Sequence, residues 1–193
     1  DTGICESHAL DMMAGLAKTG FRPFFAVYST FLQRAFDQAF QEASLQGLPV
    51  RLCLDRAGLV GGDGSVHHGF CDVSLLRTLP GACLMAAVDE PSLRACLEFM
   101  RTYDDSLSMV RYPRDVVSTR LAGADCPPFE LGRARCLTPG DDWLLEGPTR
   151  GRPSSATERA SARTTNHDRL VEGAPPDLAV LAFGTPALAA LDA

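Results

Sequence analysis

From residue 9 to about residue 115, short apolar runs alternate with amphipathic ones, and very little chain separates them. ALDMMAGLAK (9–18) places Leu10, Met13, Ala14 and Ala17 at helical spacing before the stop at Gly20. Phe21 to Ser29 reads as a buried strand entered through Pro23. Thr30 is then placed to cap a second helix, whose apolar face runs through Phe31/Leu32, Ala35/Phe36, Ala39/Phe40 and Ala43 to Gly47. Further strands are expected at 48–54, 83–88 and 107–112. A short helix is expected at 72–77, and a longer one opens at Asp89-Glu90-Pro91-Ser92, with Pro91 in the first turn. Parallel strands need crossovers, and helices of this length supply them. The expected fold is therefore α/β, a parallel sheet with helices on both faces. Ligands of such sheets collect at the carboxyl ends of the strands. The polar clusters Tyr28-Ser29, Asp55-Arg56 and Arg111 to Arg114 all fall at or just past those ends.

Charge narrows the function. Eighteen Lys and Arg against 24 Asp and Glu leave a net charge of -6, which argues against nucleic acid as the main partner. No apolar run approaches the ~20 residues of a membrane span. Seven cysteines without a CxxC pair, most within apolar runs, are expected to be small buried thiols in a reducing cytoplasm. After residue 122 the pattern breaks down. Residues 138–176 are rich in Gly, Pro, Ser, Thr and Arg, and 177–193 begin a new strand–turn–helix unit. The expected organisation is a domain over 1–131, a linker or insertion over 132–176, and the first piece of a second domain over 177–193, in all a fragment of a longer protein.

Taken singly, the candidate functional residues are modest. Glu6, two residues before His8, suits an acid/base pair or a helix start equally well. The loop GGDGSVHHG offers backbone amides, a carboxylate and two imidazoles, but His67-His68 is a poor metal pair because adjacent side chains diverge on any regular element. Arg34, Arg56, Arg111 and Arg114 could hold a phosphorylated substrate or simply be solvated.

In order and combination, DTGICESHA, FAVYSTFLQRAFDQ, DRAGLVGGDGSVHHGFCDVSLL and VRYPRD resemble the pyrimidine-binding domain of the 1-deoxy-D-xylulose-5-phosphate synthases, in the transketolase superfamily. FELGRARCL and DLAVLAFGT resemble the lead-in to that family's C-terminal domain. The resemblance implies a transferase that uses thiamine diphosphate and Mg²⁺ to condense pyruvate with glyceraldehyde 3-phosphate, giving 1-deoxy-D-xylulose 5-phosphate and CO₂ for isoprenoid and thiamine biosynthesis. It implies a cytoplasmic homodimer, with small molecules rather than nucleic acid or membrane as partners. Glu6 matches the carboxyl that bonds N1′ of the cofactor's aminopyrimidine, and Phe31 the aromatic group that stacks on that ring. Tyr28 matches a residue beside both cofactor and substrate. Arg34, Arg56, Asp63, His67 and Arg114 match the substrate channel, with Arg56 and Arg114 on the acceptor's phosphate and His67 as a catalytic group. No residue here matches a metal ligand of the family, so the Mg²⁺ ligands are expected elsewhere. Ser7, Val66 and His68 depart from the family's usual Gln, Thr and Gln. Rival readings are another thiamine-diphosphate enzyme (a transketolase or a 2-oxoacid dehydrogenase β chain) or a non-catalytic paralogue serving as a binding module.

Overall fold

The structure is a computed structural model that describes residues 2–117, 126–132 and 135. Its regular elements all lie within one compact unit, Asp1–Leu131. The linker and second-domain readings over 132–176 and 177–193 fall, apart from Gly132 and Arg135, outside the described residues.

Four parallel strands, β1 (Phe24–Tyr28), β2 (Arg51–Asp55), β3 (Cys83–Ala86) and β4 (Ser108–Arg111), form one sheet in the order β1-β2-β4-β3. The central strands are apolar on both faces, as burial beneath helices on either side demands. Leu52, Leu54 and Met109 enter one core with Leu10, Ala14 and Ala17 of α1 (Glu6–Lys18). The alternate residue Val110 enters a second core with Cys96 and Met100 of α4 (Glu90–Thr102), and Cys53 packs against it. The strand's two-residue period thus divides one short strand between two cores.

α4 begins as the sequence leads one to expect. Asp89 accepts from the Ser92 amide at 2.9 Å while the Ser92 hydroxyl accepts from the Asp89 amide at 3.0 Å, a complete capping box, and Pro91 sits where no amide is needed. The segment after β1 does not. In place of a regular helix capped by Thr30, a 3₁₀ turn (Phe31–Ala35), an α turn, α2 (Phe36–Gln38), and a π turn (Ala39–Ser44) follow in succession, and the Thr30 side chain makes no capping bond. Its alanines account for the last of these, the π turn. Ala35, Ala39 and Ala43 are wholly buried, four residues apart. In a helix of 3.6 residues per turn such a stripe drifts around the axis, and a wider turn holds it against the core.

The expectation for the thiols also needs correction. Cys83 and Cys96 are buried, but Cys5 and Cys71 are exposed. Each precedes a helix, Cys5 before α1 and Cys71 before α3 (Asp72–Leu76), and residues at these cap positions stand outside the packed face.

At the amino end of β2, the Arg51 side chain is entirely buried. Its guanidinium donates to the carbonyls of Met100, Pro49 and Tyr103 and pairs with Asp104 at 2.6 Å. Three of those partners are at or near the end of α4, where carbonyls lack helical donors. Among the described residues, no helix is long and apolar enough to cross a membrane.

Candidate active site

Strand register brings the chemistry to one edge. Tyr28 lies opposite Asp55, and Leu54 opposite Arg111, so β1, β2 and β4 end together. Their pairing runs slightly further, from the Ser29 amide to Asp55 (2.7 Å) and from the Ala57 amide to Tyr112 (3.0 Å). Between them Arg56 adopts a left-handed backbone, φ 59°, which is uncommon for a residue with a side chain and is concentrated at functional sites.

From this edge the candidate residues form one continuous set of contacts. Glu6, in the first turn of α1, is 9% exposed and accepts from Arg34 Nη1 at 3.1 Å. The Arg34 guanidinium lies 4.9 Å from the Phe31 ring centre, and Phe31 stacks on Tyr28 at 5.0 Å with the rings 9° apart. Tyr28 carries the Arg56 guanidinium 3.8 Å from its own ring centre, a cation–π contact. Arg56 pairs with both Asp55 and Asp63, the latter at 2.9 Å, and Asp63 also binds Arg114 at 3.1 Å. His67 stands edge-on to Phe31 at 5.6 Å and to Tyr28 at 6.3 Å. Partial burial works against the charge on Arg56. The hydrogen bond to Asp63 and the charge of Asp55 outweigh it and hold the guanidinium above its ordinary pKa.

The loop after β2 turns through two 3₁₀ turns, Gly61–Asp63 and Ser65–His67. His67 Nδ1 is 2.7 Å from the Asp63 carbonyl oxygen. A carbonyl only accepts, so the proton lies on Nδ1 and Nε2 is the nitrogen free to take or give one. The foot of the loop is fitted closely. A Cβ on Gly69 would come 2.5 Å from Ser29 Oγ and 2.6 Å from the Arg56 carbonyl oxygen, so glycine is required there.

All eight residues singled out from the sequence, Glu6, Tyr28, Phe31, Arg34, Arg56, Asp63, His67 and Arg114, join this set. Arg111 does not. It is held on Asp72, whose side chain is 1% exposed, at 2.9 Å, whereas the Arg114 side chain is 52% exposed. Asp55, placed from the sequence at a strand end but given no role, shares Arg56 with Asp63, and Ser7, noted there only as a departure from the family, donates its hydroxyl to the Arg34 carbonyl at 2.7 Å. Among the described residues no three His, Cys, Asp or Glu side chains are grouped to hold a metal ion.

The arrangement offers a buried carboxylate next to an aromatic platform, and a few residues away two guanidiniums converging on one anion. Those features fit a flat, protonatable heteroaromatic ring on one side and a phosphate on the other.

Residues 1–119 match the family described as transketolase, pyrimidine binding domain. The chain is 46% identical over 147 residues to the 1-deoxy-D-xylulose-5-phosphate synthase of Helicobacter hepaticus, covering 76% of this chain and 23% of that protein. With the Gloeobacter violaceus synthase it is 47% identical over 146 residues, covering 75% and 23%. The chain thus spans about a quarter of the length of these relatives. Among solved structures, a split-gene transketolase described as an inactive β4 tetramer superposes with a TM-score of 0.53 at 25% identity, over 66% of this chain and 40% of that one. A Pichia stipitis transketolase complexed with sedoheptulose 7-phosphate gives a TM-score of 0.52 at 16% identity, over 55% and 16%, a likeness of fold.

Proposed function

The chain belongs to the transketolase pyrimidine-binding-domain family, and from that premise we propose that it forms the pyrimidine-side half of the active site of a 1-deoxy-D-xylulose-5-phosphate synthase. The reaction joins the two-carbon unit of pyruvate to glyceraldehyde 3-phosphate and releases CO₂. The contact set from Glu6 to Arg114 carries this reading, because it puts a carboxylate, an aromatic platform and an anion-binding pair on one sheet edge.

Thiamine diphosphate, when bound, supplies the electron sink that lets pyruvate lose CO₂. Glu6 would hold the cofactor's aminopyrimidine by a hydrogen bond at N1′, and its burial would keep water from competing for that bond. Phe31 gives the ring a flat surface, and Tyr28 backs Phe31. Arg34, more than half exposed, steadies the Glu6 charge and is the group able to swing off Phe31 when the ring arrives. Arg56 and Arg114 hold the acceptor's phosphate, for which the Asp63 carboxylate between them is a geometric stand-in. His67, with its proton fixed on Nδ1, presents Nε2 for transfer to or from the substrate oxygens. Mg²⁺ and the diphosphate are held by residues outside those described, and the complete enzyme is a cytoplasmic homodimer.

The test is a turnover assay on the full-length protein with pyruvate and glyceraldehyde 3-phosphate, following ¹⁴CO₂ from carboxyl-labelled pyruvate. Release that depends on the aldehyde phosphate and yields the deoxyketose phosphate is the expected result. A donor preference for a ketose phosphate would instead identify a transketolase, and no turnover of either donor would leave a binding module.

A further inference from the structure

Adjacent histidines in the loop are held in opposite tautomers. His67 donates from Nδ1, as described, whereas His68 Nδ1 receives the backbone amide of Val60 at 3.1 Å. An amide only donates, so His68 Nδ1 is unprotonated and its proton lies on Nε2. Val60 is 4% exposed, and its amide, turned from water, needs an acceptor from the protein. Next to this bond lies a second closure. The Gly58 amide donates to Gly69 at 3.1 Å and the Gly69 amide to Gly58 at 2.8 Å. Gly69 in turn has no room for a side chain against Ser29 and the Arg56 carbonyl. Loop 58–69 is therefore a closed ring with a two-rung neck, and within it the His67 imidazole is tied to the main-chain carbonyl of Asp63, so the two residues carried to the sheet edge are held in one turn.

We propose that His68 is a positioning residue. As the neutral Nε2–H tautomer it closes the upper rung of the neck, and so fixes the distance at which Asp63 and His67 are presented to substrate. This rests on the functional reading above for what the loop presents, though not for how the loop is closed. The side chain works through Val60, and no contact between His68 and substrate is required. Glutamine can replace it, since its side-chain carbonyl is an acceptor of comparable reach. Alanine cannot, because it leaves a buried amide unpaired.

The experiment is ¹⁵N NMR of the intact 193-residue chain at neutral pH, with amide hydrogen exchange. The imidazole shifts should report an unprotonated Nδ1 in His68 and a protonated Nδ1 in His67. In His68→Ala, exchange of the Val60 amide should accelerate about tenfold or more, and His67 should lose its tautomer preference. His68→Gln should restore both. A proton on His68 Nδ1 in the unaltered chain overturns the proposal without recourse to any variant. So does a His68→Ala chain in which Val60 protection and the His67 tautomer are unchanged. None of these readouts needs turnover. If the full-length protein fails the pyruvate assay while the neck behaves as described, the functional reading falls and the loop closure stands. The converse result separates them the other way.

Discussion

A single ion pair decides which of two neighbouring arginines is available for chemistry. Arg111 and Arg114 are three residues apart, and their motif alone does not separate them. Asp72, 39 residues earlier in the chain, does so by binding Arg111 in a nearly buried pair. Arg111→Ala should therefore cost stability, about 3–5 kcal/mol, because it strands the Asp72 carboxylate; urea unfolding measures it. Arg114→Ala should leave the unfolding midpoint nearly unchanged and, in the full-length enzyme, raise the KM for the aldehyde phosphate by about tenfold or more. Glu6→Gln is a matching test at the cofactor side. Gln keeps the size but not the charge, so it should lower kcat by roughly 10²–10⁴-fold, whereas unaltered turnover would remove Glu6 from its role. Arg114 was legible in the sequence because a strand-end location and a motif both mark it, and Glu6 and Asp63 because a motif does. Asp72 and Gly69 were not. What makes each of them matter is a partner remote in the chain, and composition carries no trace of that distance.

Elements were legible where local chemistry and packing agree. The start of α4 could be read from Asp89, Pro91 and Ser92 because the capping box is complete within four residues. Asp89→Ala should destabilise the chain by about 1 kcal/mol, measured by the same unfolding midpoint. The turns after Thr30 were not legible, since apolar spacing there fits a regular helix and only the buried alanine stripe favours the wider turn at Ala39–Ser44. Position within elements also decides the thiols. Burial pushes Cys83 up to about 11. It pushes Cys96 up to about 12, with a smaller contribution from the neighbouring thiols, so neither is nucleophilic at neutral pH. Iodoacetamide at pH 7.5 should label the helix-cap thiols Cys5 and Cys71 and spare Cys83 and Cys96 until the chain is unfolded; mass spectrometry of tryptic peptides reads the pattern.

Across the molecule, the sheet separates two sets of charges. At the amino edge Asp104 is shared by Arg22 and Arg51, and its hydrogen bonds, that from Arg22 foremost, hold its carboxyl below the usual range. A lowered folded-state pKa stabilises the fold above the ordinary carboxylate pKa, near 3.9, and that stabilisation is lost as the pH falls through the folded value. The melting temperature of Asp104→Asn should accordingly lie below that of the unaltered chain at pH 6 and converge with it in acid. The fold class was legible from alternation alone, because parallel strands in short links leave few arrangements. Strand order was not, since nothing local says that β4 inserts between β2 and β3. Arg51 and Asp55 begin and end the same strand, roughly 13 Å apart at about 3.3 Å per residue. The ionic anchor of the fold and the ionic pair at the candidate site therefore stand at opposite rims of the sheet. Substitutions that retune the preferred acceptor at one rim are free to accumulate without loosening the other, and a deep mutational scan of this chain would find its sites of changed selectivity and its sites of lost solubility at opposite ends of the same strand.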